Sequence, residues 1–118
     1  MELTFEDLED GVRRINLAGR MDVEGTQQID LKFTSLSAAA QGWIVVDISG
    51  VEFMSSLGLG TLVRSAAAQT LRKGKLVLLA PRENVYRVLE TTRIKDVIEV
   101  YRDFDTARRG VRATDATA

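Results

Sequence analysis

The sequence predicts one α/β domain: a single-layer mixed sheet of about five strands packed with about four helices, parallel at the sheet centre and antiparallel at its N-terminal strand. Three observations lead there. Trp43 to Ile48 and Lys75 to Ala80 are apolar runs, broken only by Asp47, as suits strands buried on both faces. The Ala-rich segment between them has helical periodicity, and a strand–helix–strand unit of this length forms a right-handed parallel crossover. Leu3 to Leu8 and Val12 to Leu17 alternate apolar and polar residues around Glu9-Asp10-Gly11, the pattern of an antiparallel hairpin.

The elements follow in order. Ala18-Gly19 reads as a break after the second strand. Asp22, or with less force Glu24, caps a helix over about residues 24–40. Its buried stripe is Ile29, Phe33, Leu36 and Ala40, with Thr26, Gln27, Asp30, Lys32 and Ser37 off the stripe. Gly42 ends it. After the central strand, the second helix turns Leu59, Leu62, Val63, Ala66 and Ala67 inward and stops at Gly74. Pro81, the only proline, opens a third helix that ends at Thr91-Thr92. Val97 to Val100 reads as a short last strand, and Asp103 to Arg109 as a final helix with Phe104 and Ala107 facing in. The domain is expected to span residues 1–109. Residues 110–118, nearly devoid of apolar side chains, are expected to form a disordered tail.

Composition removes much chemistry. The chain has 118 residues and contains no Cys and no His. Disulfides, thiol nucleophiles, Ser-His-Asp triads and the usual zinc ligand sets are therefore excluded. The net charge of -1 offers no overall attraction to nucleic acid or an anionic membrane. Arg82, Arg87, Arg93 and Lys95 are interspersed with Glu83, Glu90, Asp96 and Glu99, a solvated face with few aromatics to stack bases. The acidic N-terminus has no signal-peptide pattern, and no apolar run approaches the roughly 20 residues of a membrane span. A cytoplasmic protein without cofactor or metal is the expectation.

The stretch from Asp47 to Gly60 concentrates what remains. It reads Asp-Ile-Ser-Gly-Val-Glu-Phe-Met-Ser-Ser-Leu-Gly-Leu-Gly and leads from a strand into a helix. Ser55 and Ser56 stand at the helix start, where unpaired N–H groups and the positive end of the macrodipole favour a capping hydroxyl and tolerate a phosphate. Gly50, Gly58 and Gly60 leave room for another backbone to approach. Gly58-Leu59-Gly60 lacks the third glycine of a dinucleotide fingerprint and the Lys-Ser/Thr of a phosphate loop. Asp22 and Asp47 both end strands. They form either an acid–base or Mg²⁺-binding pair, or a helix cap and a loop tie; the absence of a neighbouring nucleophile favours the second.

The stretch from Asp47 to Leu62, with Gly19-Arg20-Met21-Asp22, resembles the signature of anti-sigma factor antagonists, the STAS domains. The resemblance covers about residues 3–108 in element order. It implies a STAS-like fold and no enzymatic activity. In the family pattern Asp-Ser-Ser-Gly-Leu-Gly, the first serine is phosphorylated by an anti-sigma factor serine kinase; that serine corresponds to Ser56, with Ser55 as the alternative acceptor. Ser55 stands where the family has Asp, and Leu57 where it has Ser. The implied partners are the kinase and a PP2C-type phosphatase that reverses the modification. The implied contact surface is Asp22, Ser55, Ser56, Leu57, Gly58, Leu59 and Gly60. The chain is expected to be a monomer or weak homodimer. A constitutive STAS interaction module, never phosphorylated, is the alternative.

Overall fold

Strand pairing in a computed structural model, which describes residues 1–40 and 42–113, orders the sheet β1-β2-β3-β4-β5. β1 (Glu2–Asp7) runs antiparallel to β2 (Val12–Met21); β3 (Trp43–Met54), β4 (Lys75–Leu79) and β5 (Val100–Tyr101) continue parallel to β2. The helices are α1 (Val23–Ala39), α2 (Ser56–Leu71), α3 (Glu83–Thr91) and α4 (Phe104–Arg112). The expected mixed α/β fold is the observed one.

The period of two divides the core between the sheet faces. Ile44, Val46, Ile48, Leu76 and Leu78 pack against Ile29 and Phe33 of α1, Leu59 and Leu62 of α2, and Val85 and Leu89 of α3. Val12, Val45, Val77 and Leu79 meet Ala107 and Val111 of α4 on the other face. Strands covered on both faces cannot alternate apolar and polar, which is why β3 and β4 read as apolar runs.

Several boundaries move. β2 does not break at Ala18-Gly19. It passes through with register shifts and continues to Met21. β3 runs on to Met54 instead of ending near Ile48, pairing Ala18 with Gly50 and Met21 with Met54. β4 pairs with β3 only as far as Asp47, so the rest of that edge of β3 must be satisfied otherwise. Side chains at the start of α3 reach it: Arg82 Nε donates to Ser49 O (3.0 Å) and Asn84 Nδ2 to Glu52 O (2.9 Å). The last strand is Val100–Tyr101, and Ile94–Asp96, just ahead of the predicted strand at 97–100, is a 3₁₀ turn. Residues 110–112, expected in the tail, belong to α4, where Val111 is fully buried. Residues 114–118 of that tail lie outside the described residues. Thr26 and Ser37 of α1, expected off the buried stripe, are buried.

Candidate functional site

The parallel strands β2 and β3 finish side by side, since Met21 pairs with Met54, and each leads directly into a helix. Two helix N-termini therefore open at the C-terminal ends of adjacent strands, the part of an open α/β sheet where binding sites usually form. Asp22 caps α1 by accepting from Gly25 N (2.8 Å), and its carboxylate lies 3.6 Å from Arg20 Nε. The turn is tight: a Cβ on Gly25 would fall 1.9 Å from Arg20 O.

Ser55 caps α2, and its hydroxyl is fully used. Oγ accepts from Gly58 N (3.2 Å) and donates to Met21 O (2.7 Å), which also accepts from Ser55 N (2.9 Å). Ser56 differs: it is exposed, and its hydroxyl has no hydrogen bond among the described residues. Two neighbouring serines thus have separate physical roles, one structural and one presented to solvent at the first residue of the helix.

Around Ser56 the surface mixes apolar and charged groups. Leu57 and Phe53 are each 39% exposed and Val23 57%. Arg20, paired with Phe53 across the strands, lies over its ring at 4.7 Å from the centroid. A surface of this kind suits a protein partner: the apolar groups supply contact area and the cation supplies orientation.

The expected contact residues divide. Ser56 and Leu57 face outward, and Asp22 is half-buried at the rim. Gly58 and Leu59 turn inward and do not reach the surface, because Leu59 belongs to the core. A Cβ on Gly58 would lie 2.7 Å from Met21 Cγ, and one on Gly50 would lie 2.8 Å from Ala18 Cβ. These two glycines permit internal packing; they do not open the backbone to a partner. Gly60 is half-buried beside the Arg64 guanidinium.

Asp22 and Asp47 are not brought together. Asp47 pairs with Asn16, six residues before Asp22 along β2, on the order of 20 Å at strand rise. Asp47 is tied locally, accepting from Ser49 N (2.9 Å) and from Arg14 Nη2 (2.6 Å). Burial pushes its carboxyl up, but the Ser49 and Arg14 bonds outweigh that and hold it below the usual carboxylate range. Among the described residues, no three acidic side chains are grouped to hold a metal ion, and no helix is long and apolar enough to cross a membrane. Arg20, Phe53 and Val23 were missed as surface residues. The exposure of Phe53 depends on the register shift between Gly19 and Arg20, which no periodicity reveals.

A family model, STAS domain, matches residues 7–107. The chain belongs to the STAS domain family. It is 26% identical over 101 residues to an anti-sigma-B factor antagonist of Staphylococcus aureus, covering 85% of this chain and 94% of the relative. The fold matches that of a candidate anti-sigma factor antagonist of Thermotoga maritima (TM-score 0.83, 21% identity, 93% and 94% of the two chains). It also matches the anti-sigma factor antagonist SpoIIAA in its unphosphorylated form (TM-score 0.77, 21% identity, 95% and 97%). The phosphorylated form of SpoIIAA, from Bacillus, superposes with a TM-score of 0.69 at 19% identity, over 92% and 98% of the two chains.

Proposed function

We propose that this protein is an anti-sigma factor antagonist, a regulatory binding protein without catalysis of its own. Unphosphorylated, it binds an anti-sigma factor serine kinase in the cytoplasm and releases a sigma factor. Phosphorylated on Ser56 by that kinase, it lets go, and a PP2C-type phosphatase restores it. ATP and Mg²⁺ are the kinase's, so this chain needs no cofactor. The names of its relatives and the two phosphorylation forms of SpoIIAA support this reading.

The observation that carries it is the division of labour between the two serines. Phosphoryl transfer needs a hydroxyl that can enter another protein's active site and give up its proton. Ser56 Oγ meets that need, whereas Ser55 Oγ would first have to leave Gly58 N and Met21 O. With Ser55 capping the helix, the family's Asp at this position is replaced by another good cap, and the backbone of the turn is maintained. A phosphate would add about -1.5 to -2 charges beside Leu57 and Phe53, opposing any partner that docks through apolar groups or carboxylates.

The test combines the chain with a kinase of the anti-sigma type and ATP, then maps the phosphate by mass spectrometry. Phosphate on Ser56 is expected, with weaker kinase binding afterwards and in Ser56→Asp. Phosphate found only away from Ser55 and Ser56 sinks the mechanism.

A further inference from the structure

Arg64 is exposed on α2, and its guanidinium runs back along the helix surface, the ordinary direction for a long helical side chain. It lies back towards the start of the helix: a Cβ on Gly60, one turn earlier, would sit 3.2 Å from Arg64 Nη1. Its Nη2 donates to Thr61 Oγ1 (3.3 Å). That hydroxyl is oriented by its own bond to Asp30 Oδ1 (3.0 Å), so its lone pair is free to face the arginine. A side chain at residue 60 would fill the lane that the guanidinium occupies.

Ser56, Gly60 and Arg64 stand at i, i+4 and i+8, on one face of α2. Positions four apart place their Cβ atoms about 5–6 Å from one another. The guanidinium resting against Gly60 therefore lies one turn from Ser56, a gap of about 5.4 Å along the axis that a phosphate on Ser56 closes by turning back towards Gly60. Among other cations near this end of the molecule, Arg20 is engaged by Asp22 and stacked on Phe53, and the Met1 ammonium donates to Gln28 Oε1. Glu24 in the first turn of α1, Glu52 of β3 and Asp30 are the nearby carboxylates by position in the fold.

We propose that Arg64, laid along α2 over Gly60, pairs with a phosphate carried by Ser56, so that the modified turn closes an ion pair within its own helix. The proposal rests on Ser56 as the modified residue and assigns the group that answers the modification. Phosphorylation then changes the surface twice, adding an anion at Ser56 and engaging a guanidinium that in the unmodified protein rests on Thr61 Oγ1.

The test installs phosphoserine at residue 56 during translation, so that no kinase is needed, and follows its second ionisation by ³¹P NMR. Wild type, Arg64→Gln and Gly60→Gln are compared at low and high salt. The helix dipole acts equally in all three, so differences report the guanidinium. Arg64→Gln should raise the ionisation midpoint by about half a pH unit at low salt, less at high salt. Gly60→Gln, which fills the lane, should move it in the same direction. A midpoint unchanged by Arg64→Gln overturns the proposal. Because the phosphate is installed independently, that result leaves the mapping of kinase-loaded phosphate to be decided on its own.

Discussion

Replacing Ser55 and Ser56 separately by alanine should separate stability from modification. Ser55→Ala removes the acceptor for Gly58 N and the 2.7 Å donor to Met21 O. Loss of the cap is worth about 1 kcal/mol, and the second bond about as much at most. Met21 O keeps its bond from Ser55 N, so no carbonyl is orphaned and the total should be about 1–2 kcal/mol. For a domain of this size, that lowers the melting temperature by about 4–10 °C. Ser56→Ala removes an exposed hydroxyl that has no hydrogen bond among the described residues and should change stability by less than about 0.5 kcal/mol. Thermal unfolding followed by circular dichroism gives the first quantity, and intact mass after incubation with kinase and ATP gives the modification. Ser55→Ala should still accept phosphate and Ser56→Ala should not. If Ser56→Ala destabilises as much as Ser55→Ala, or if only Ser55→Ala abolishes phosphorylation in a folded protein, the assigned division of roles is wrong.

Three further outcomes follow from the same geometry. Leu57→Asp puts a carboxylate in the first turn of α2, where the dipole favours it, so the melting temperature should hold while kinase affinity falls at least about tenfold; retained affinity by calorimetry would remove Leu57 from the interface. Asp47 has a folded pKa below its unfolded value near 3.9, so its stabilisation is complete above that value and is lost as pH falls through the folded pKa. The stability gap between wild type and Asp47→Asn, measured in urea, should therefore narrow from pH 6 to pH 3, and a constant gap would refute the assignment. A Cβ on Gly110 would fall 2.0 Å from the Tyr101 hydroxyl, which donates to Glu99 while Lys75 bonds both Glu99 (2.7 Å) and Gly110 O (3.2 Å). Gly110→Ala should cost about 1–3 kcal/mol, with amide exchange rising in α4 before α2; uniform exchange would contradict a local displacement.

What the chain spelled out depended on whether packing leaves a one-dimensional trace. β3 and β4 were legible because burial on both faces suppresses alternation over Trp43–Ile48 and Lys75–Leu79. The extension of β3 was not. Ser49-Gly50 and Ala18-Gly19 each look like a break, yet they lie against each other, with Ala18 opposite Gly50 and Gly19 opposite Val51. Small residues that read as turn signals are, in register, what lets two strands approach through a bulge. The α1–α2 seam was equally hidden. Thr26, Ser37, Thr61, Ser65 and Gln69 are buried there, and Gln69 Nε2 donates to Ser37 O at 2.5 Å. An apolar stripe locates the face a helix turns to the sheet, but not a second face that packs on a neighbouring helix through small polar groups. At the site, the family pattern singled out Ser56 over Ser55, and the structure places Ser56 exposed at the first residue of α2. The inward course of Gly58 and Leu59 required knowing that Met21 lies beneath them.

The rigidity of this turn bears on how a phosphate could act. Met21 O receives both the amide and the hydroxyl of Ser55, Gly58 is seated on Met21 and Met54, and Leu59 is in the core. The free edge of β3 leading into the turn is held by Arg82 and Asn84. Moving the first turn of α2 would break several of these contacts together, at about 1 kcal/mol or more for each buried bond lost. A phosphate on Ser56 would project from the exposed side of the turn and disturb none of them. Its charge would therefore remain at the surface, partly offset by the helix dipole, and a docking partner would either repel or desolvate it. The fold can stay the same in both states while affinity differs by orders of magnitude, because only the bound state brings the phosphate against a partner's surface. Accordingly, protein carrying phosphoserine at residue 56 should melt within a few degrees of the unmodified chain while losing most of its kinase affinity, and a large drop in melting temperature would point instead to a switch that works by unfolding α2.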